Sequence, residues 1–135
     1  MLLVLLVLLV SGATSYNVDT IDPILLQPPP RAGGGEEYFG YSAAIQRGGE
    51  GANWVLVGAP KANATLPGGQ VGVGWGAVYN CTEEQCVQVE LEKDGVLKKG
   101  EVKEGQWCGS TMSTDRDTTD AVVCAHKYVQ HSSLL

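Results

Sequence analysis

Short apolar runs, separated by loops rich in glycine and polar residues, recur along the whole chain. Residues 54–57 form a continuous apolar run that ends at a Gly-Ala-Pro turn, which is typical of a strand buried on both faces. Residues 87–91 alternate between apolar and polar with a period of two, which predicts a strand with one buried face. The same pattern predicts further short strands over 16–20, 38–45, 77–81, 107–112 and 121–125. The chain is therefore expected to be all-β.

Residues 82–85 leave a helical alternative open at one place, because Thr82 and Gln85 have the spacing of a helix capping box. The period-two positions that follow favour the strand. Composition points the same way: the 135 residues include 18 glycines, against a usual proportion of about 7%. Glycine permits tight turns and weakens helix interiors.

The balance of charges excludes one class of partner. Nine basic and 15 acidic residues give a formal net charge of −6. A surface of this sign repels phosphate backbones, so nucleic acid is not an expected partner. With 44% hydrophobic and 18% charged residues, the chain also lacks the composition of a disordered protein or a coiled coil.

The start of the chain has the features of a secretory signal peptide. Residues 2–10 are all Leu or Val, too few to cross a bilayer but enough for the apolar core of a leader. Ala13 and Ser15 supply small residues for cleavage before Tyr16, although the usual basic residues are missing. A buried strand or short helix is the alternative. We predict a signal peptide at 1–15, entry into the secretory pathway and no transmembrane segment in this chain.

Four cysteines and two sequons fit an oxidising, secretory environment. An even number of cysteines favours disulfides there, although four allow three pairings. Cys81 and Cys86 are close enough in sequence to close a tight loop. A zinc site would need the C-x4-C and C-x15-C pairs to converge, with His126 or His131 as substitutes, and these spacings match no usual zinc pattern. Predicted glycosylation sites are the sequons that begin at two asparagines, Asn63 and Asn80.

An internal repeat narrows the all-β expectation. Residues 38–42 combine aromatic side chains with a glycine and a serine, and a β-branched run with a small residue and Ala follows at 55–61. Residues 106–110 and 122–127 repeat this order, with the two glycines 69 positions apart. Such units cannot bury both faces alone, so they stack on neighbours. Four-stranded repeats of this size are typical of propeller blades.

These residues resemble the amino-terminal end of an integrin alpha subunit, whose head is a seven-bladed β-propeller of FG-GAP repeats. The resemblance runs from Tyr16 to about Tyr128. It implies a partial propeller: residues 16–105 as blade 1 with an amino-terminal strand and connector, and 106–135 as the truncated start of blade 2. The residues that match the family's structural positions are Phe39, Gly40, Gly58, Ala59, Pro60, Trp107 and Gly109.

The resemblance also implies a function. It predicts an adhesion-receptor subunit at the plasma membrane that pairs with an integrin beta subunit, binds extracellular-matrix ligands and signals. Residues 124–128 are more similar to the laminin-binding subunits of the family. Cys81 and Cys86 match the family's small disulfide. The calcium-binding loops of the family belong to later blades. Cys108 replaces a large apolar residue, and the family's downstream partner for Cys124 is not in this sequence, so these two are either bridged or free thiols.

Candidate chemistry elsewhere in the chain is weak. Residues 115–120 are acidic but lack the glycine and distal Glu of a calcium loop, so a solvated connector is the better interpretation. Neither Ser110 nor His126 can be given a catalytic partner from sequence, and we predict no enzyme and no cofactor. Two alternatives remain: an accessory FG-GAP propeller of a secreted enzyme such as a phospholipase, and a short soluble secreted binding protein.

Overall fold

The computed structural model describes residues 22–30, 37–48, 53–92, 96–115 and 118–131. Within these ranges it contains one short 3₁₀ turn, Pro67–Gly69, and no α-helix, which confirms the all-β prediction. The predicted signal peptide and the strand at 16–20 lie outside these ranges. The strands are β1 (Ser42–Arg47), β2 (Asn53–Ala59), β3 (Ala64–Thr65), β4 (Val71–Gly72), β5 (Ala77–Cys81), β6 (Cys86–Gln88), β7 (Glu101–Val102), β8 (Cys108–Thr114), β9 (Ala121–Ala125) and β10 (Val129–Gln130).

Four antiparallel strands form the main sheet, in the order β1-β2-β5-β6. This is the arrangement of a single propeller blade. The apolar run that the sequence placed on a doubly buried strand lies in β2, where Leu56 is 5% exposed and Val57 is 3% exposed. Because neighbouring residues on a strand point to opposite faces, both faces of β2 are covered here, as predicted.

The core lies on one face of this sheet. Val57 and Tyr79 are cross-strand partners, and Ala59 and Ala77 form the next pair on the same face. Phe39 packs on this group from the loop before β1, with its ring centroid 5.4 Å from that of Tyr79 in an edge-to-face arrangement.

A second unit packs against this sheet. Strands β8 and β9 form an antiparallel ribbon in which Cys108 lies opposite Ala125 and Thr111 lies opposite Cys124, with an irregularity between the two pairs. Strand β8 packs against β1, β2 and β5. A parallel bridge between Gly76 and Cys108 adds a backbone contact between the two units.

Three local predictions differ from the structure. The strand expected over 38–45 lies at Ser42–Arg47, because residues 38–41 form a turn in which the amide of Tyr41 donates to the carbonyl of Tyr38. The strand expected over 87–91 is shorter and lies at Cys86–Gln88, although the amide of Val89 still donates to the carbonyl of Val78. The expected buried face is also wrong, since Val87 is 54% exposed and Leu91 is 44% exposed, whereas Cys86 is buried.

The helical alternative at 82–85 is wrong: the hydroxyl of Thr82 accepts the amides of Glu84 and Gln85 in a tight turn between β5 and β6. Nothing in the described ranges is a helix long and apolar enough to span a membrane.

Candidate functional site at the junction of the two repeats

The two predicted repeats begin with the same unusual turn. Tyr38 and Trp107 have positive φ values of 56° and 61°, a conformation that is uncommon for residues other than glycine. Two positions later, Gly40 and Gly109 have φ values of 87° and 85°. Both pairs of equivalent residues are 69 positions apart, the spacing found in the sequence. The backbone geometry thus supports the predicted repeat residue by residue.

In each repeat, a lysine from the second half packs over the aromatic residue of the first half. The ammonium group of Lys61 lies 4.0 Å from the centroid of the Tyr38 ring, and that of Lys127 lies 3.7 Å from the Trp107 ring. A cation over an aromatic face is attracted by the ring quadrupole. The backbone hydrogen bonds recur as well: Tyr41 N to Tyr38 O at 3.1 Å, Ser110 N to Trp107 O at 3.2 Å, Lys61 N to Glu37 O at 3.2 Å and Lys127 N to Gln106 O at 3.0 Å.

Three glycines allow the two units to meet at close range. A Cβ on Gly58 would overlap the carbonyl oxygen of Gly109, and a Cβ on Gly109 would lie 2.7 Å from the carbonyl oxygen of Ala77. A Cβ on Gly76 would overlap the carbonyl oxygen of Cys108. Side chains of any other residue would force the backbones apart. Two of the predicted structural glycines, Gly58 and Gly109, therefore form the contact between the repeats.

Ser42 and three of the predicted structural residues complete this junction. Ser42 donates a hydrogen bond from its hydroxyl to the carbonyl of Gly109 at 2.7 Å, which ties β1 to the second unit. Ala59 and Pro60 are fully buried at the end of β2. Strand β2 also holds the turn at Gly40, because the Gly40 amide donates a hydrogen bond to the carbonyl of Gly58 at 3.1 Å.

An aromatic platform lies beside the junction, formed by Tyr38, Tyr41 and Trp107. The two tyrosine rings are nearly parallel with centroids 6.3 Å apart, and the tryptophan ring stands edge-on to both at 6.2 and 5.6 Å. Tyr38 is 38% exposed and Tyr41 is 54% exposed. Sequence reasoning identified Trp107 as structural but missed the two tyrosines as its neighbours. The repeat spacing was the signal, since it makes Tyr38 the equivalent of Trp107.

The structure also joins two residues that the sequence could not connect. The hydroxyl of Ser110 lies 2.8 Å from Nδ1 of His126, and the His126 ring stands edge-on to Trp107 at 5.6 Å between centroids. Ser110 is buried, so this hydrogen bond satisfies a buried hydroxyl and fixes the His126 ring against the platform.

The four cysteines fall into two classes. Cys81 and Cys86 are cross-strand partners of β5 and β6 and are joined by a disulfide, as predicted. Cys108 and Cys124 are both free thiols in this structure. They are not direct cross-strand partners, because each lies opposite a different residue of the other strand. Burial raises the pKa of the Cys108 thiol to about 11.

The two sequons occupy different environments. Asn63 is exposed, and its side-chain oxygen accepts the amide of Gly74 at 2.9 Å. Asn80 is half-buried in β5, between β2 and β6, and its side-chain oxygen is buried with no hydrogen-bond partner among the described residues. In the acidic connector, the amide of Asp115 donates to the carbonyl of Asp120 at 3.1 Å, which closes the loop between β8 and β9.

Comparison with known proteins finds relatives among the integrin alpha subunits. No protein-family model matches the chain. Integrin alpha-7 of Rattus norvegicus is 32% identical over 127 residues, which cover 90% of this chain. Integrin alpha-8 of Gallus gallus is 32% identical over 137 residues and integrin alpha pat-2 of Caenorhabditis briggsae over 133 residues, covering 94% and 90% of this chain.

The chain is a homologue of integrin alpha subunits. It spans about a tenth of the length of these relatives, whose matched shares are 10% for integrin alpha-7 and alpha pat-2 and 12% for alpha-8. The relatives are integrin alpha subunits by name, in agreement with the resemblance found in the sequence.

Proposed function

We propose that this integrin alpha homologue forms the beginning of the ligand-binding head of a cell-adhesion receptor. After a leader at 1–15, residues 16–105 make the first FG-GAP blade and 106–135 begin the second, in a ring of seven. Support comes from the repeated turn and from the packing of β8 across β1, β2 and β5. A unit that stacks on its neighbour in this way is the building block of a propeller.

The aromatic platform is the surface that we assign to the integrin beta subunit. Its rings come from both repeats, so the surface exists only when the two units are packed together. Aromatic side chains are enriched at the centres of protein interfaces, where they bury a large area at low entropic cost. The exposed ring of Tyr41, held edge-on by Trp107, is the observation that carries this assignment.

The receptor acts at the cell surface in this proposal. The alpha/beta heterodimer binds extracellular-matrix ligands and signals across the membrane, and residues 124–128 point to a laminin-type ligand. Calcium belongs to later blades, and the residues discussed here act by packing and by contact with the partner subunit.

Co-expression tests the partner assignment. The full chain, with its own leader and an epitope tag, is expressed in animal cells together with an integrin beta subunit, and surface complexes are precipitated through the tag. We expect the beta subunit to co-precipitate. Tyr41→Ala is expected to reduce recovery at least about tenfold, because removal of a central interface aromatic costs about 2 kcal/mol or more.

Tyr128→Ala is the matched control. Tyr128 is 38% exposed, like Tyr38, but it lies outside the platform, with its hydroxyl donating to Glu101 at 2.7 Å. Its loss is expected to leave recovery of the beta subunit unchanged. If both variants lose the same amount of beta subunit, or if Tyr41→Ala recovers all of it, the platform is not part of the interface. Failure of the unaltered chain to recover any beta subunit would contradict the proposed receptor function.

A further inference from the structure

Two residues of the turn that follows β9 contact the Trp107 ring. The His126 ring stands edge-on to it, with 5.6 Å between centroids and 72° between planes, and the ammonium group of Lys127 lies 3.7 Å from its centroid. The amide of Lys127 donates to the carbonyl of Gln106 at 3.0 Å, which fixes this turn to the residue before the tryptophan. The turn therefore acts on the tryptophan that completes the aromatic platform.

Ser110 fixes the orientation of the His126 ring. The Ser110 hydroxyl lies 2.8 Å from Nδ1 of His126, and because Ser110 is only 7% exposed, its place is set by the packing of β8. The Ser110 amide also donates to the carbonyl of Trp107 at 3.2 Å. The serine thus holds the backbone of the tryptophan directly and contacts its ring through the histidine.

The first repeat lacks this pair. Tyr41 takes the place of Ser110, because each directly follows the glycine of its turn. Pro60 takes the place of His126, because each directly precedes the lysine that lies over the aromatic ring. A proline side chain has no hydrogen-bonding group, so the first repeat cannot form the equivalent bond.

The repeat fold does not require the pair. The aromatic residues that open the two turns have φ values of 56° and 61°, so the same turn forms with the hydrogen bond and without it. His126 is also exposed, whereas Pro60 is buried, so the need to fill the core does not explain the histidine. A contact that only the second repeat has, and that ends on a ring of the platform, points to a role in the function of that platform.

We propose that Ser110 and His126 are positioning residues that hold Trp107 in the orientation to which the integrin beta subunit binds. Trp107 stands edge-on to Tyr38 at 6.2 Å and to Tyr41 at 5.6 Å, so its orientation determines the shape of the platform. A side chain that is already ordered loses less conformational entropy when a partner binds. The pair therefore raises affinity through the tryptophan. This inference rests on the proposed function of the platform.

Recovery of the beta subunit measures the effect on binding. The full tagged chain is co-expressed with an integrin beta subunit, as for the platform variants. His126→Ala is expected to reduce recovery about two- to tenfold, because a tryptophan that is free to rotate must be ordered when the partner binds. His131→Ala is the matched control, since His131 is also exposed but lies beside Gly100, to whose carbonyl its amide donates at 2.8 Å. The control is expected to recover as much beta subunit as the unaltered chain.

A double variant tests whether the two residues act as a pair. Ser110→Ala breaks the same hydrogen bond as His126→Ala, so the two changes together are expected to reduce recovery no more than His126→Ala alone. Losses that multiply would show two independent effects and would overturn the positioning role.

Near-UV circular dichroism of the secreted chain measures the order of the tryptophan without the partner. His126→Ala is expected to lower the intensity of the tryptophan band and to leave the far-UV spectrum unchanged, whereas His131→Ala is expected to leave both unchanged. If His126→Ala leaves the band unchanged, or leaves recovery of the beta subunit unchanged, the positioning role alone is overturned. If the unaltered chain recovers no beta subunit, the proposed function is overturned and the positioning role with it.

Discussion

The turn that contains Gly40 and the turn that contains Gly109 have the same backbone conformation, but only the second is closely packed. Their φ values are 87° and 85°, and each follows an aromatic residue in the left-handed region. Around Gly109, a Cβ would meet the Ala77 carbonyl at 2.7 Å and the Gly58 Cα at 3.3 Å. Around Gly40, no described atom lies within 4 Å of such a Cβ.

This comparison separates two reasons why the equivalent positions need glycine. Positive φ is required at both turns, so local sequence sets the backbone whether or not a neighbour is present. Close packing is required only at Gly109, where the second unit meets the first. In the proposed ring, the open side of Gly40 is where a further blade would pack, since every repeat in such a ring has a neighbour on each side.

Phe39 and Cys108 extend the comparison, because they are also equivalent positions. Phe39 places its ring against Tyr79 in the core. Cys108 is half-buried and forms the parallel backbone bridge with Gly76. The position that holds a half-buried aromatic ring in the first repeat therefore holds a thiol in the second.

Gly58→Ala is expected to have the largest effect on the junction. The new methyl group would overlap the Gly109 carbonyl, and overpacking against backbone costs about 3 kcal/mol. Thermal or urea unfolding of the secreted chain measures the loss. Gly68→Ala is the control, since no described atom lies within 4 Å of its Cβ and only its φ of 77° opposes the change. A Gly58→Ala protein as stable as the control would show that the two units do not meet there.

The Cys108 thiol is expected to react slowly in the folded chain. Its pKa is raised from 9.0 to about 11, so the thiolate fraction at pH 8 falls about 100-fold. The more basic thiolate is a better nucleophile and recovers about tenfold of that loss. Alkylation of Cys108, followed by mass spectrometry, should therefore accelerate at least about tenfold when the chain is unfolded. Equal rates in the folded and unfolded chains would contradict its burial at the junction.

Ser42→Ala is expected to have a smaller effect on stability. It removes the hydrogen bond to the Gly109 carbonyl, which is worth about 1 kcal/mol. Thr111 is the equivalent position in the second repeat and is exposed, so Thr111→Ala is expected to be nearly neutral. Urea midpoints of the two variants give the comparison directly. If Thr111→Ala costs as much as Ser42→Ala, the hydrogen bond across the junction does not explain the loss.

Much of the fold could be predicted because the apolar pattern is strong where burial is complete. The β2 run, the disulfide between Cys81 and Cys86 and the 69-residue repeat were all visible in the sequence. The alternating positions 87–91 show the limit: the period-two pattern predicts that Val87 and Leu91 face the core, but they are 54% and 44% exposed, and the strand ends at Gln88. Alternation of apolar and polar residues shows that a segment can form a strand, but the strand forms only where a neighbouring strand is available for pairing.

The aromatic platform shows why the site was harder to predict than the fold. Tyr38, Tyr41 and Trp107 meet because two turns 69 residues apart pack side by side, and no local pattern encodes that contact. The Ser110–His126 hydrogen bond is hidden for the same reason, since it depends on the register of β8 and β9.

The most direct test of the packed second repeat is the difference in unfolding free energy between Gly109→Ala and Gly40→Ala. Both variants place alanine at a left-handed φ, which costs about 1 kcal/mol in each. Because only Gly109 lies against backbone of the other unit, we predict that Gly109→Ala costs about 1–3 kcal/mol more. Equal costs would contradict the account, because they would show that the second repeat is not packed on the first.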